Sequence, residues 1–235
     1  MQIIYVVRHG ETDTNLNNKV NDKNISISIN KTGIEQAEQT GKYFKNRRLS
    51  KSNCIMYSSP SERAIATAKI ISNELKMADI NKSASKNFII DDRIVEFDQG
   101  LLSGLDKSSP ILQQFLLEFD KFTKKYKNDR ISIELNFDEF EKHTSKKYKK
   151  EPRPGIKKRV ESFLDSLPSK PKHIIIVTHD GIMGVVQELL TGPFPDKACG
   201  DLTNGKNCSI MGITKIDKKF KLISFANTEH LKLKL

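Results

Sequence analysis

Three cysteines, Cys54, Cys199 and Cys208, are all that this 235-residue chain carries, with no Cys-x-x-Cys spacing and no even framework. That excludes a disulfide scaffold and a zinc ribbon, and it points to a reducing compartment. No stretch approaches the roughly 18 apolar residues of a membrane-spanning helix, and no basic segment precedes the short apolar run at the start. A cytoplasmic protein without a membrane partner is therefore expected. Arginine is scarce, at 8 against 32 lysines. With 16 Asn and 26 Ile beside them, those lysines read first as the imprint of an AT-rich genome. The formal charge of +11 does not by itself imply nucleic-acid binding, although it favours anionic ligands through long-range attraction.

What is present suits a soluble globular chain: 37% hydrophobic and 29% charged residues, read as one domain over 1–235. Short apolar runs at 3–7, 54–57 and 174–177 read as strands covered on both faces. Helical patterns alternate with them. Thr32 with Glu35 reads as a capping box opening a helix whose Ile34, Ala37, Gly41 and Phe44 lie near one face. Ser59, Pro60 and Glu62 read as the cap of a second helix running to about Leu75. Ser109-Pro110 opens a third, with a core stripe of Leu112, Phe115, Leu116, Phe119 and Phe122. Pro154 starts another, with Val160, Phe163, Leu164 and Leu167 inward, and Asp180 can cap one that ends near Gly192. Segments 209–216 and 220–226, around Asp217-Lys218-Lys219, read as a hairpin. The implied architecture is a three-layer α/β/α sandwich with a mainly parallel central sheet.

Segment 142–159 holds nine Lys or Arg against Glu151 alone. It reads either as a solvated surface insertion or as a basic flap, around 120–155, over a ligand site. Tyr148 is its one aromatic residue, which weighs against base stacking and so against nucleic acid as a partner.

Ligands of open α/β sheets gather outside the carboxyl ends of the strands. Three such ends carry kindred chemistry here: Arg8-His9-Gly10-Glu11-Thr12, Ser58-Ser59-Pro60 with Arg63 one turn on, and Thr178-His179-Asp180-Gly181. If the strands are neighbours, two Arg and two His meet beside helix N-termini, which is what a phosphate dianion needs. The two arginines would repel a metal cation, and no Cys or paired carboxylates stand close in sequence to complete a coordination shell, so neither metal nor cofactor is expected.

Arg8-His9-Gly10-Glu11-Thr12 with Asn15 resembles the signature of the histidine phosphatase superfamily, the phosphoglycerate mutase-like proteins. Gly33 with Gln36-Ala37, Ser58 through Ala64 with Thr67-Ala68, Glu96 with Gly100 and Gly104, Arg159-Val160, Thr178-His179 and Asn207 with Ser209-Ile210 extend the likeness in order. The resemblance implies a phosphoglycerate mutase-like fold and catalysis by His9, Glu96 and His179. In that scheme His9 is the nucleophile that becomes phosphohistidine, and Glu96 is the general acid and base, with Asp98 a possible substitute. Arg8, Asn15, Arg63 and His179 would grip the phosphoryl group of a small anionic substrate, and no metal is required.

Departures from the pattern decide the branch. Phe97 and Gln99 stand where mutases of the family have an Arg and a Tyr, so a phosphatase is implied rather than a phosphoglycerate mutase. An inactive phospholigand- or protein-binding module is the third reading, which retention of Glu96 opposes. Asp180 replaces a common Gly and would oppose a bound dianion unless it turns away to cap its helix. Segment 17–30, rich in Asn and Lys, leaves the substrate open. A late strand could form a homodimer edge, and nothing in the sequence decides it.

Overall fold

The computed structural model describes residues 1–77, 87–126, 130–192, 206–217 and 219–232, with 130–135 described for their backbone alone. Cys199 and Lys218 lie outside the described residues. Strand β1 (Gln2–Arg8) leads through the short helix α1 (Asp13–Leu16) into α2 (Lys31–Asn46), β2 (Cys54–Ser58), α3 (Glu62–Glu74) and β3 (Phe88–Ile90). The chain continues through α4 (Pro110–Lys125), α5 (Arg130–Tyr148), α6 (Arg153–Ser166), β4 (His173–Thr178) and α7 (Asp180–Thr191). It finishes in the hairpin β5 (Ile210–Ile216) and β6 (Lys219–Asn227), as the alternation of apolar residues anticipates.

The sheet has six strands in the order β3-β2-β4-β1-β5-β6. Strands β3, β2, β4 and β1 are parallel, and β5 runs against both its neighbours. Side chains of a strand alternate between faces, and the core divides accordingly. Ile4, Val6, Ile174 and Ile176 meet α6 and α7 through Val160, Phe163, Ile182 and Val186. Val7, Met56, Ile175 and Val177 meet α2 and α3 through Phe44, Ala64, Ala68 and Ile71. The three layers are those expected. The chain leaves β1 for β2 beyond β4, and leaves β4 for β5 beyond β1. The first connection runs over the α2 face and the second over the α7 face, so the chain leaves the carboxyl ends of β1 and β4 on opposite faces and a crevice opens at this switch point.

Local starts differ from the sequence pattern in instructive ways. Helix α2 is capped by Asn30, whose side chain accepts from the Gly33 N–H at 2.9 Å, and not by Thr32, which is exposed. Ile34 is likewise 41% exposed, whereas Gly33, Ala37, Thr40, Gly41 and Phe44 form the buried face. Gly33 is buried because the β1–α1 turn runs against it: a Cβ there would stand 2.3 Å from the Glu11 carbonyl oxygen. Helix α3 begins at Glu62 with Ser61 as N-cap and no side-chain cap bond, so Ser59 is not its cap. Helix α7 has His179 as N-cap and Asp180 as its first residue.

The aromatic stripe of α4 is core, but of a satellite core. Leu112 and Phe115 pack with Leu102 and Tyr148, and Phe119 and Phe122 surround Phe137 of α5. Leu116, expected inside, is exposed.

The cap assignment is testable. Asn30→Ala should cost about 0.5–2 kcal/mol in denaturant unfolding, while Thr32→Ala should leave stability within about 0.5 kcal/mol of native.

Candidate active site

The ladder between β1 and β4 ends with Arg8 opposite Thr178. The His9 N–H continues it by donating to the Thr178 carbonyl at 2.9 Å, so the next residues on both strands, His9 and His179, stand side by side. Their rings meet edge-to-face with centroids 5.2 Å apart. Strand β2 joins from the other side: Ser58 is in register with Val177, and the Ser59 N–H donates to the Val177 carbonyl at 2.9 Å. The three strand ends singled out by their residues therefore lie at one edge of the sheet.

The turn after β1 is locked from several sides. His9 Nδ1 lies 2.8 Å from the Gly10 carbonyl oxygen, an acceptor only, so Nδ1 carries the proton and Nε2 keeps its lone pair. The Gly10 N–H donates to Thr67 Oγ1 at 2.9 Å, and the Thr67 hydroxyl donates to the Arg63 carbonyl at 2.8 Å. The Glu11 N–H donates to Gln36 Oε1 at 2.9 Å. Gly10 has to be a glycine because a Cβ would stand 2.6 Å from the Gly33 carbonyl oxygen. Asn15 stands in α1, where its Oδ1 accepts from the Thr12 N–H at 3.3 Å and from Asn207 Nδ2 at 3.1 Å. That commits the oxygen and leaves Nδ2 as the donor this side chain can offer.

Two guanidinium groups flank the histidines. Arg63 is completely buried in the first turn of α3. It donates through Nη1 to the Ile25 carbonyl at 3.1 Å and through Nη2 to the Asp22 carbonyl at 2.9 Å, so segment 17–30 folds onto the site. Its buried Nε finds no partner among the described residues. Arg8 lies with Nη1 3.7 Å from Asp180 Oδ2. Asp180 thus does not turn away to cap its helix; it faces the cationic pocket and partly neutralises it.

Glu96 is 9% exposed, and its carboxylate lies against the start of α7. Oε1 accepts from the Phe97 N–H at 3.0 Å and Oε2 from the Gly181 N–H at 3.4 Å. A Cβ at position 181 would stand 2.5 Å from Oε1. Burial pushes the Glu96 carboxyl up to about 7; the two N–H donors and Arg63 pull it down, and Asp180 pushes it up. Burial also holds His9 well below the ordinary imidazole range, helped by Arg63 and Arg8. The same burial, with Arg63, His9 and Arg8, lowers His179. At neutral pH both rings are neutral beside two fixed cations, and Glu96 is near half-protonation. Such a pocket suits an anion with several oxygens.

All six side chains expected from sequence, namely His9, Glu96, His179, Arg8, Asn15 and Arg63, are placed around this edge. Asp98, the candidate substitute for Glu96, is instead engaged at the rim: it bonds Lys23 Nζ at 3.2 Å and the Gly100 N–H at 2.9 Å. Phe97 packs against the core on the α6–α7 face. Within segment 142–159, Lys142, Lys146, Lys147 and Lys149 are exposed, while Glu151 bonds Arg159 at 3.0 Å and donates its N–H to the Asp98 carbonyl at 2.8 Å. Sequence reasoning missed three supports: the Ser59 hydroxyl, 2.8 Å from His179 Nε2, the Asp22 and Ile25 carbonyls under Arg63, and the Arg8–Asp180 pair. Ser59 looked like a cap because it precedes a Pro and a helix; the others are backbone or long-range contacts that leave no local pattern.

Known proteins resemble this chain in sequence and in fold. The chain is 27% identical over 141 residues to the uncharacterized phosphatase PhoE of Bacillus subtilis (strain 168), covering 57% of this chain and 70% of that one. Its fold matches a phosphoglycerate mutase from Bacillus anthracis with TM-score 0.70 and 19% identity, over 98% of this chain and 95% of the other. A phosphoserine phosphatase from Entamoeba histolytica, solved with 3-phosphoglyceric acid, matches with TM-score 0.66 and 21% identity over 98% and 100% of the two chains. Residues 4–228 match the histidine phosphatase superfamily (branch 1) along nearly their whole extent, and the chain belongs to that superfamily.

Proposed function

We propose that the chain is a phosphatase that hydrolyses a small phosphomonoester through a phosphohistidine on His9. The observation that carries this reading is the locked His9 ring, with Nδ1 bonded 2.8 Å to the Gly10 carbonyl and the Nε2 lone pair left for attack. Nε2 forms a bond to phosphorus as the ester P–O bond breaks. The Glu96 carboxyl, poised near half-protonation at neutral pH, gives its proton to the leaving oxygen. Water then attacks phosphorus, the P–N bond breaks, and the Glu96 carboxylate takes the water's proton. Inorganic phosphate leaves, with His9 neutral and Glu96 protonated as at the start. Arg8, Arg63, Asn15 and His179 hold the equatorial oxygens, and the two guanidinium groups supply the charge that a metal supplies elsewhere.

The phosphatase reading is preferred over a mutase because position 97 contributes a phenyl ring to the core, and no cation for a second phosphate. The exposed lysines of segment 142–159 act at long range as a basic rim that draws in the anionic substrate.

Release of phosphate from an aryl phosphate in the presence of EDTA should persist in the native chain and vanish in His9→Ala; activity abolished by chelation would contradict the scheme. Glu96→Gln should lower kcat/KM by about 10²–10⁴ on a substrate with a poor leaving group and far less on an aryl phosphate, whose kcat still falls because hydrolysis of the phosphohistidine lacks its base.

The sign of the pH dependence follows from the shifts. Neutral His9 is required, and its lowered value puts the acid limb of kcat/KM well below the ordinary imidazole range. Protonated Glu96 is required for a poor leaving group, so activity should fall as pH rises through about 7, after correction for the substrate's own ionisation. Asp180→Asn removes a neighbouring negative charge and should move that alkaline limb to lower pH in the same profile.

A further inference from the structure

Ser59 follows β2 and is fully buried, as is His179. Its hydroxyl lies 2.8 Å from His179 Nε2. Around that hydroxyl the remaining bonds are longer: the Ser61 N–H donates to it at 3.3 Å, and its own donation to Ser61 Oγ spans 3.4 Å. A hydroxyl has one proton and two acceptor sites. Ser61 N–H occupies one acceptor site, and the short contact to His179 is the natural destination of the proton. On the other side of the ring, His179 Nδ1 is buried and finds no hydrogen-bond partner among the described residues.

A neutral imidazole carries one N–H, and the partner of one nitrogen decides which. We infer that Ser59 is a positioning residue that donates its hydroxyl proton to Nε2 of His179, placing the ring's own proton on Nδ1 as the donor to a phosphoryl oxygen. This inference rests on the reading of the pocket as a phosphoryl site. It gives the two neighbouring histidines the same tautomer and opposite tasks. His9, bonded through Nδ1, offers the Nε2 lone pair to phosphorus; His179, bonded through Nε2, offers Nδ1–H to oxygen. In the alternative tautomer Nδ1 would bring a lone pair to the phosphoryl oxygens and repel them. The parallel register makes the contact: Ser58 opposite Val177 leaves Ser59 abreast of His179. Neutrality of His179 follows from its burial beside Arg63, His9 and Arg8.

The test compares native chain, Ser59→Ala and Ser61→Ala. Nitrogen-15 spectra of the imidazoles, with the His179 signals assigned by a His179→Phe variant, read the tautomer directly. The native His179 should be protonated on Nδ1, and inorganic phosphate should shift that proton downfield. Ser59→Ala should show a mixed or Nε2-protonated ring and a fall in kcat on an aryl phosphate of about 10–100-fold, as for removal of a partner that orients a functional histidine. Ser61→Ala should keep the native tautomer and near-native turnover. A native His179 protonated on Nε2, or an unchanged tautomer in a folded Ser59→Ala, overturns the inference. Failure of the phosphatase reading shows separately, as a native chain with no turnover, and the tautomer is still read without it.

Discussion

The pairing of Arg8 with Thr178 at the end of the β1–β4 ladder is the constraint on which the site depends. A slip of one residue would send every side chain of β1 to the opposite face of the sheet. Ile4 and Val6 would leave the α6–α7 core, and Tyr5 and Val7 the α2–α3 core, so the hydrophobic pattern holds the register. The same register brings His9 beside His179, and the β2–β4 ladder adds Ser59 alongside. Core packing and chemistry are thus determined by one set of strand pairings. The topology completes the effect, because the chain leaves β1 and β4 on opposite faces of the sheet, α2 on one and α7 on the other, and a crevice opens at the strand ends.

The electrostatics of the pocket follow from the burial of its charged groups. Arg63 is fully buried; its hydrogen bonds run to the Asp22 and Ile25 carbonyls, and the Glu96 and Asp22 carboxylates act on it at longer range. Arg8 has Asp180 at 3.7 Å, a loose pair. Desolvation keeps both imidazoles neutral and holds Glu96 near half-protonation. On the proposed reading, a phosphate dianion entering this pocket would meet both guanidinium groups at the place where His9 attacks and Glu96 gives its proton. Asp180 adds a smaller push to the burial that raises Glu96, and on the proposed reading it would weaken the hold on phosphate.

Much of this was legible in the sequence. Continuous apolar runs identified β1, β2 and β4, and the recurrence of Arg, His and Ser at their ends pointed to the strand ends that the structure brings together as the candidate site. The features that were not legible are of three physical kinds. Cap assignment failed at Thr32 and Ser59 because several small polar residues precede each helix, and only backbone dihedrals choose among them. The α4 stripe carried the right period, but periodicity does not say which core a helix joins, and Leu116 fell outside both. Asp180 could have capped its helix or faced Arg8, a choice made by long-range placement of α7 against β1.

The central claim is that a covalent phosphohistidine forms on His9. Its most direct measurement is a rapid base quench of Glu96→Gln during turnover of an aryl phosphate, followed by peptide mass spectrometry. That substrate needs little help in leaving, whereas hydrolysis of the intermediate needs the missing base, so the intermediate should accumulate. The account predicts one phosphoryl group on the peptide containing His9, stable in base, lost in acid and absent from His9→Ala. Phosphate release with no such adduct, or an adduct on another residue, would contradict it.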